Sequence, residues 1–384
     1  MTQREFYINN PEYYNWVTKA EQSGLVYRLA EEYYKYTDID IPYQYKINGE
    51  RYIVPVFFDY DWIQPRKLSS VLYHYDSDPS VKHDDSSLKE IARRSAITEH
   101  NRGGYVSEYL WNNPTIGVNK IMSGSKGLST QLTDYYTVRS TSSQFNNELY
   151  QTAYNCGLSP KTSRKEITNN LHDMNFPVRD TSYGKNIIIE SDQPFLLGQT
   201  TMTIFNTTDG LYYPIEYRNN RVTESPGWEN VIPTGVVQPE VEPNSDLQTG
   251  YTQISLNDIL YKKATSELFN HNYSAEQLQK DETNDKLSYI TLGYGIDAVN
   301  SHIHLYNLLY IHDTELADTL ISKTAQAWGS EYISLNKLSN KYKLQNLIGE
   351  KTMIPYNIPA VVESLQYLQN NGVKLPIAIS RDVQ

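Results

Sequence analysis

Two short strings constrain this 384-residue chain more than any others: Asn48-Gly49 and Asp209-Gly210. Asn-Gly and Asp-Gly pairs tolerate the positive φ angles of a two-residue hairpin turn, so each string between apolar runs reads as the tip of two antiparallel strands. Tyr43-Gln-Tyr-Lys-Ile47 alternates ahead of the first turn, and Tyr52-Ile-Val-Pro-Val-Phe-Phe58 follows it. Leu197 to Asn206 and Leu211 to Tyr217 flank the second. Both halves must therefore contain antiparallel sheet.

Helical periods lie between the strands. Tyr14, Val17, Leu25, Leu29 and Tyr33 predict helix from Pro11 to about Tyr36, divided at Gly24. Further helices are expected over Ser87–Arg94, Ser143–Tyr154, Pro160–Pro177, Thr314–Lys323 and Ala360–Gln369. Ile116–Met122, Asn230–Val237, Leu287–Leu292 and His304–Ile311 read as strands. Ser255 caps a helix over Leu256–Phe269, with Leu256, Ile259, Leu260, Ala264 and Leu268 on one face. Asp76–Ser87 and Pro239–Gly250 are polar loops, and Ile187–Ile189 is a short apolar run. This order predicts a mixed α+β (α/β) protein whose partly antiparallel sheet is flanked by helices. It divides into an N-terminal α/β region, 1–185, and a second unit, 186–384, with a C-terminal helical extension.

Charge narrows the partners. Forty-five acidic residues against 34 basic ones give a net charge of −11, and the longest basic string is Arg93-Arg94. Such a chain matches a phosphate backbone or an anionic membrane poorly. A single cysteine, Cys156, rules out an intramolecular disulfide and a thiolate zinc cage, and its turn-like setting suggests a small, half-buried residue. There is no apolar leader and no uninterrupted apolar run long enough for a membrane helix, so the cytoplasm is the expected compartment. The 34 tyrosines predict cores and clefts lined by Tyr, each buried hydroxyl needing a partner.

The signals from Gln193 onward fall in a particular order. An opening strand, Pro194 to Ile204, leads to the Asp209-Gly210 turn and the strand Leu211–Tyr217. Trp228-Glu-Asn-Val-Ile-Pro-Thr-Gly235 then precedes a loop and the helix Ile259-Leu-Tyr-Lys-Lys-Ala-Thr-Ser-Glu267-Leu-Phe-Asn270. This layout resembles the Nudix hydrolase superfamily over roughly residues 190–370. The resemblance implies a Nudix-like mixed sheet and a site for a nucleoside diphosphate linked to another group. In that family, clustered helix carboxylates hold Mg²⁺ or Mn²⁺ against the pyrophosphate, because hard cations require several oxygen ligands at once.

The departures from the family pattern bear directly on that chemistry. Lys262 and Lys263 stand where the family has an arginine and its first glutamate, and Ser266 and Glu267 stand in place of the paired glutamates. One metal-facing carboxylate, Glu267, survives, and a lysine ammonium binds phosphate rather than a divalent cation. The resemblance thus implies a ligand site of Gly235, Lys262, Lys263 and Ser266. It favours a nucleotide-binding or sensing protein with a degenerate catalytic site, whose N-terminal half communicates the bound state. A second reading is a Mg²⁺- or Mn²⁺-dependent pyrophosphohydrolase that recruits Glu240 and Glu242 alongside Glu267. A third is a structural or interaction protein of a phage or defence complex. The sequence leaves the oligomeric state open.

Three other constellations carry less. His302 and His304 share a strand face but lack an evident third metal ligand. Ser123-Gly-Ser-Lys-Gly127 is glycine-rich without P-loop spacing, and His100 precedes Gly103-Gly104 in a loop.

Overall fold

Both hairpins form where the turn residues place them. Asn48 and Gly49 have φ of 50° and 89°, and they join the strands Gln44–Ile47 and Glu50–Ile53 with Ile47 opposite Glu50. At the second turn Gly210 takes φ 116° and pairs with Thr207. These observations come from a computed structural model. It describes residues 11–37, 43–58, 65–67, 72–76, 114–122, 127–134, 144–171, 174, 195–218, 227–238, 256–300, 302–324, 326–328, 331–349 and 352–382.

Helices α1 (Pro11–Gln22) and α2 (Leu25–Thr37) part at Gly24, whose φ of 68° ends the first and lets the second start at once. Then come β1 (Gln44–Ile47), β2 (Glu50–Ile53), β3 (Val56–Phe58), β4 (Arg66–Lys67), β5 (Leu72–Asp76), β6 (Pro114–Met122) and β7 (Gly127–Asp134). Helix α3 (Gln144–Asn155) follows. Helix α4 (Arg164–Asn170) starts on a capping box in which Ser163 and Glu166 satisfy each other's backbone N–H groups.

The second half opens with β8 (Phe195–Thr207) and β9 (Gly210–Tyr217), then β10 (Glu229–Val231) and β11 (Thr234–Val236). Helix α5 (Leu256–Lys263) runs into a π-helical turn, Ala264–Leu268, and ends where Asn270 and His271 adopt positive φ. Helix α6 (Ala275–Thr283), β12 (Leu287–Asp297), β13 (Ile303–Ile311) and α7 (Thr314–Lys323) follow. Next are β14 (Ala327–Trp328), β15 (Glu331–Lys337), α8 (Lys341–Ile348), a 3-10 turn (Pro355–Asn357), α9 (Ile358–Asn370) and β16 (Ile379–Arg381).

The main sheet has the path β14-β15-β9-β8-β13-β12-β3, with β6 also paired to β8. Strands β8 and β13 are parallel from Leu197–Ile303 to Phe205–Ile311, and the hairpins around them are antiparallel, so the sheet is mixed as expected. Residues on both sides of position 185 share it: β3 pairs β12, β6 pairs β8, and β1 pairs β16 in a smaller sheet.

Alternation along β13 divides the interior. Ile303, Leu305, Leu309 and Ile311 pack with Leu29 of α2, Leu260 of α5 and Leu320 of α7. Tyr306 and Leu308 pack on the other face with Leu344 of α8 and Val361 and Leu365 of α9. Tyrosine fills both interiors: Tyr13, Tyr43, Tyr45, Tyr150, Tyr213, Tyr289 and Tyr306 are among the largest fully buried side chains. Among the described residues no helix is long and apolar enough to cross a membrane. The expected helix 87–94, the loops 77–87 and 239–250, the run 187–189, His100 and residues 123–126 lie outside the described residues.

Candidate functional site

The structure brings together three of the residues singled out by sequence: Gly235, Lys263 and Glu267. Strand β11 lays Gly235 opposite Gln199 of β8, and the π-helical turn carries Glu267 beneath it. Lys263 Nζ stands 2.9 Å from Glu267 Oε1 and donates to the Val236 carbonyl at 3.2 Å. The Thr234 N–H donates to Glu267 Oε2 at 3.0 Å. Gly235 has φ 133°, and a Cβ there would lie 3.1 Å from Lys263 Nζ, so both its backbone and its space call for glycine.

Burial pushes the Glu267 carboxyl above the usual range, and Lys263 and the Thr234 N–H pull it back. The ammonium thus supplies the positive charge next to this carboxylate. A divalent cation would have to displace both Lys263 and the Thr234 N–H to reach its oxygens. Among the described residues, this donor set does not fit Mg²⁺ or Mn²⁺. Among the described residues no group of three or more His, Cys, Asp or Glu is placed to hold a metal ion.

The other sequence-derived residues take different positions. Lys262 is exposed and acts on Glu276 of α6, away from Lys263. Ser266 is half-buried and its hydroxyl donates back to the Lys263 carbonyl at 3.1 Å. Glu240 and Glu242 lie outside the described residues. His302 and His304 are both buried, with ring centroids 6.2 Å apart, and His304 stacks on Tyr356 at 4.5 Å. Cys156 is exposed rather than half-buried, because it follows the last turn of α3 at the surface.

Sequence reasoning missed a buried polar chain that starts from the same junction. The single Thr234 hydroxyl proton faces two acceptors, the Gln199 carbonyl at 3.0 Å and Thr200 Oγ1 at 3.2 Å. Thr200 Oγ1 donates to Asn357 Oδ1 at 3.0 Å and lies 3.2 Å from His304 Nδ1. Asn357 Nδ2 donates to Asn230 Oδ1, and Asn230 Nδ2 donates to Glu216 Oε2 at 3.0 Å. From Thr200 onward the donors point toward Glu216. Burial, reinforced by Glu331, pushes the Glu216 carboxyl up to about 7, and Asn230 works against that rise. One signal marked this chain in the sequence: Gln199, Thr200, Thr201 and Thr203 interrupt the most buried strand of the sheet. Polar side chains inside such a strand require internal partners. Gln199 Nε2 is buried with no hydrogen-bond partner, on the strand position facing Gly235.

Comparison with protein-family models and with curated proteins returns no match for this chain.

Proposed function

We propose that residues 186–384 form a Nudix-like domain that binds a nucleotide or nucleotide-derived molecule without cleaving it. The observation that carries this reading is the Lys263–Glu267 pair beneath Gly235. It sits on the helix where the family's metal carboxylates would be, and its charge is balanced internally. Lys263 spends two of its three N–H donors on Glu267 and Val236, which leaves one for a phosphate oxygen. Hydrolysis, by contrast, needs an activated water and a cation to neutralise the developing charge. Glu267 is a poor base for that water, because its two oxygens already accept from Lys263 and Thr234.

A panel of nucleoside diphosphates linked to sugars, nucleosides or further phosphates tests this, with Mg²⁺ or Mn²⁺ present. The expected result is a raised melting temperature with at least one compound and no product. The rise should disappear in the Lys263→Gln, Glu267→Gln double variant, which keeps polar contacts and removes both charges. Turnover that Glu267→Gln abolishes would overturn the binding reading in favour of a hydrolase.

A further inference from the structure

A second cleft, of about 320 Å³, opens where the start of α2 meets the residues before β10 and the turn before α9. Its size is at the lower end of the roughly 300–1,000 Å³ of small-molecule sites. Two arginines line it, Arg28 and Arg164, against one carboxylate, Glu31.

The two guanidinium groups are used differently. Arg28 donates from Nε to the Thr162 carbonyl at 3.2 Å, from Nη2 to the Pro160 carbonyl at 3.0 Å, and from Nη1 to the Ser23 carbonyl. These acceptors fix the side chain but carry no formal charge. Arg164 donates from Nε and Nη2 to the same Glu31 oxygen, at 2.9 and 2.7 Å. That pairing leaves Arg164 Nη1 unengaged among the described residues, on a side chain 43% exposed. The cleft therefore holds more positive than negative charge in a chain whose net charge is −11. Burial, and after it Arg164, lowers the Arg28 guanidinium, and Glu31 and Tyr150 oppose that.

Part of the remaining wall is aromatic and apolar, beside the polar Gln22, Ser23 and Thr352. Trp228 and Tyr27 have ring centroids 5.9 Å apart, and Pro355 lies beside them. Trp228 sits so close to Gly24 that a Cβ there would lie 2.6 Å from the indole ring, so the glycine makes room for the wall.

We propose that this cleft binds a small organic anion, its carboxylate or phosphate held by Arg164 Nη1 and its body against Trp228, Tyr27 and Pro355. A planar guanidinium with one open edge suits either oxyanion. The proposal is independent of the Lys263–Glu267 reading, because it uses none of the same residues.

Isothermal titration of the full chain with phenyl phosphate, benzoate and inorganic phosphate tests it. At least one of the two aromatic anions should bind, and which one binds tighter decides between phosphate and carboxylate. Arg164→Lys keeps a charge opposite buried Glu31 but removes the open edge. It should melt near the wild-type temperature and weaken the aromatic anion about ten-fold, equivalent to one charge-assisted contact. Inorganic phosphate should bind more weakly than phenyl phosphate. The proposal fails if neither aromatic anion binds at millimolar concentration, if folded Arg164→Lys binds like wild type, or if inorganic phosphate matches phenyl phosphate.

Discussion

Lys263 neutralises Glu267 inside the protein, and burial sets how much depends on it. The Glu267 side chain is 7% exposed, so removing the ammonium leaves a carboxylate that water cannot solvate. Lys263→Met should lower unfolding free energy by about 3–5 kcal/mol, the usual result of stranding one half of a buried pair. Glu267→Gln in the same background should restore much of that, since no charge then remains to be buried. Urea denaturation of both single variants and the double variant measures the coupling. Additive effects would mean that the two side chains do not stabilise each other.

At the scale of elements, three strands meet around Glu216. Strand β9 carries it, β10 sets Asn230 directly opposite, and β15 brings Glu331 to its other side. The raised carboxyl makes a specific pH signature. Glu216 stays protonated in the folded chain up to about 7, whereas the unfolded chain loses that proton near the ordinary value of 4.5. Between these values the native state binds more protons, so stability falls as pH rises through the window. The loss above it is on the order of 3 kcal/mol for Glu216. Glu216→Gln should flatten this dependence, raising the melting temperature at about pH 8 and leaving it little changed at about pH 5. Equal gains at both values would show that the Glu216 charge is not the cause.

The same elements show what sequence could and could not reveal. Helix α7 was legible because Asp313 caps it, accepting from Leu316 N–H at 2.8 Å, and its apolar face is regular. The two hairpins were legible from two turn residues each. Strand β15 was not, because its residue types contradict its burial: Glu331 is buried, whereas Tyr332 and Leu335 are exposed. Helix α6 was missed for a similar reason: its buried positions are Ala275, Leu278 and Asp281, a weak apolar stripe. The π-helical turn leaves no trace in an apolar spacing that fits an α-helix throughout. In the candidate site, Gly235 and Glu267 were singled out only through a resemblance in the order of elements along the chain. Glu216, Asn230 and Asn357 were not, since only the register of three strands and the start of α9 bring them together.

For the whole molecule, the small sheet β16-β1-β2 ties distant parts of the chain together. Tyr45 pairs with Arg381, and Lys46 and Arg51 both reach Asp382. Beneath them Glu363 of α9 accepts from Tyr43 Oη at 2.7 Å and from Arg381 Nη1 at 3.3 Å. Burial raises the Glu363 carboxyl, and Arg381 and Tyr43 hold it down. Arg381→Met should therefore cost about 3 kcal/mol or more, because it strands a buried carboxylate. Asp382→Asn, which removes only ion pairs to half-exposed Lys46 and Arg51, should change stability little. Thermal denaturation distinguishes the two. Equal effects would mean that burial of Glu363 does not govern the clasp.

That clasp also sets an order of events on the ribosome. The β1–β2 hairpin is synthesised well before β16, which covers the other side of β1. Until then β1 presents an open row of backbone N–H and C=O groups to whatever strand is nearby. Contact between neighbouring nascent chains is what that open edge makes hazardous. Polysome crowding at high expression is the condition under which it would aggregate first.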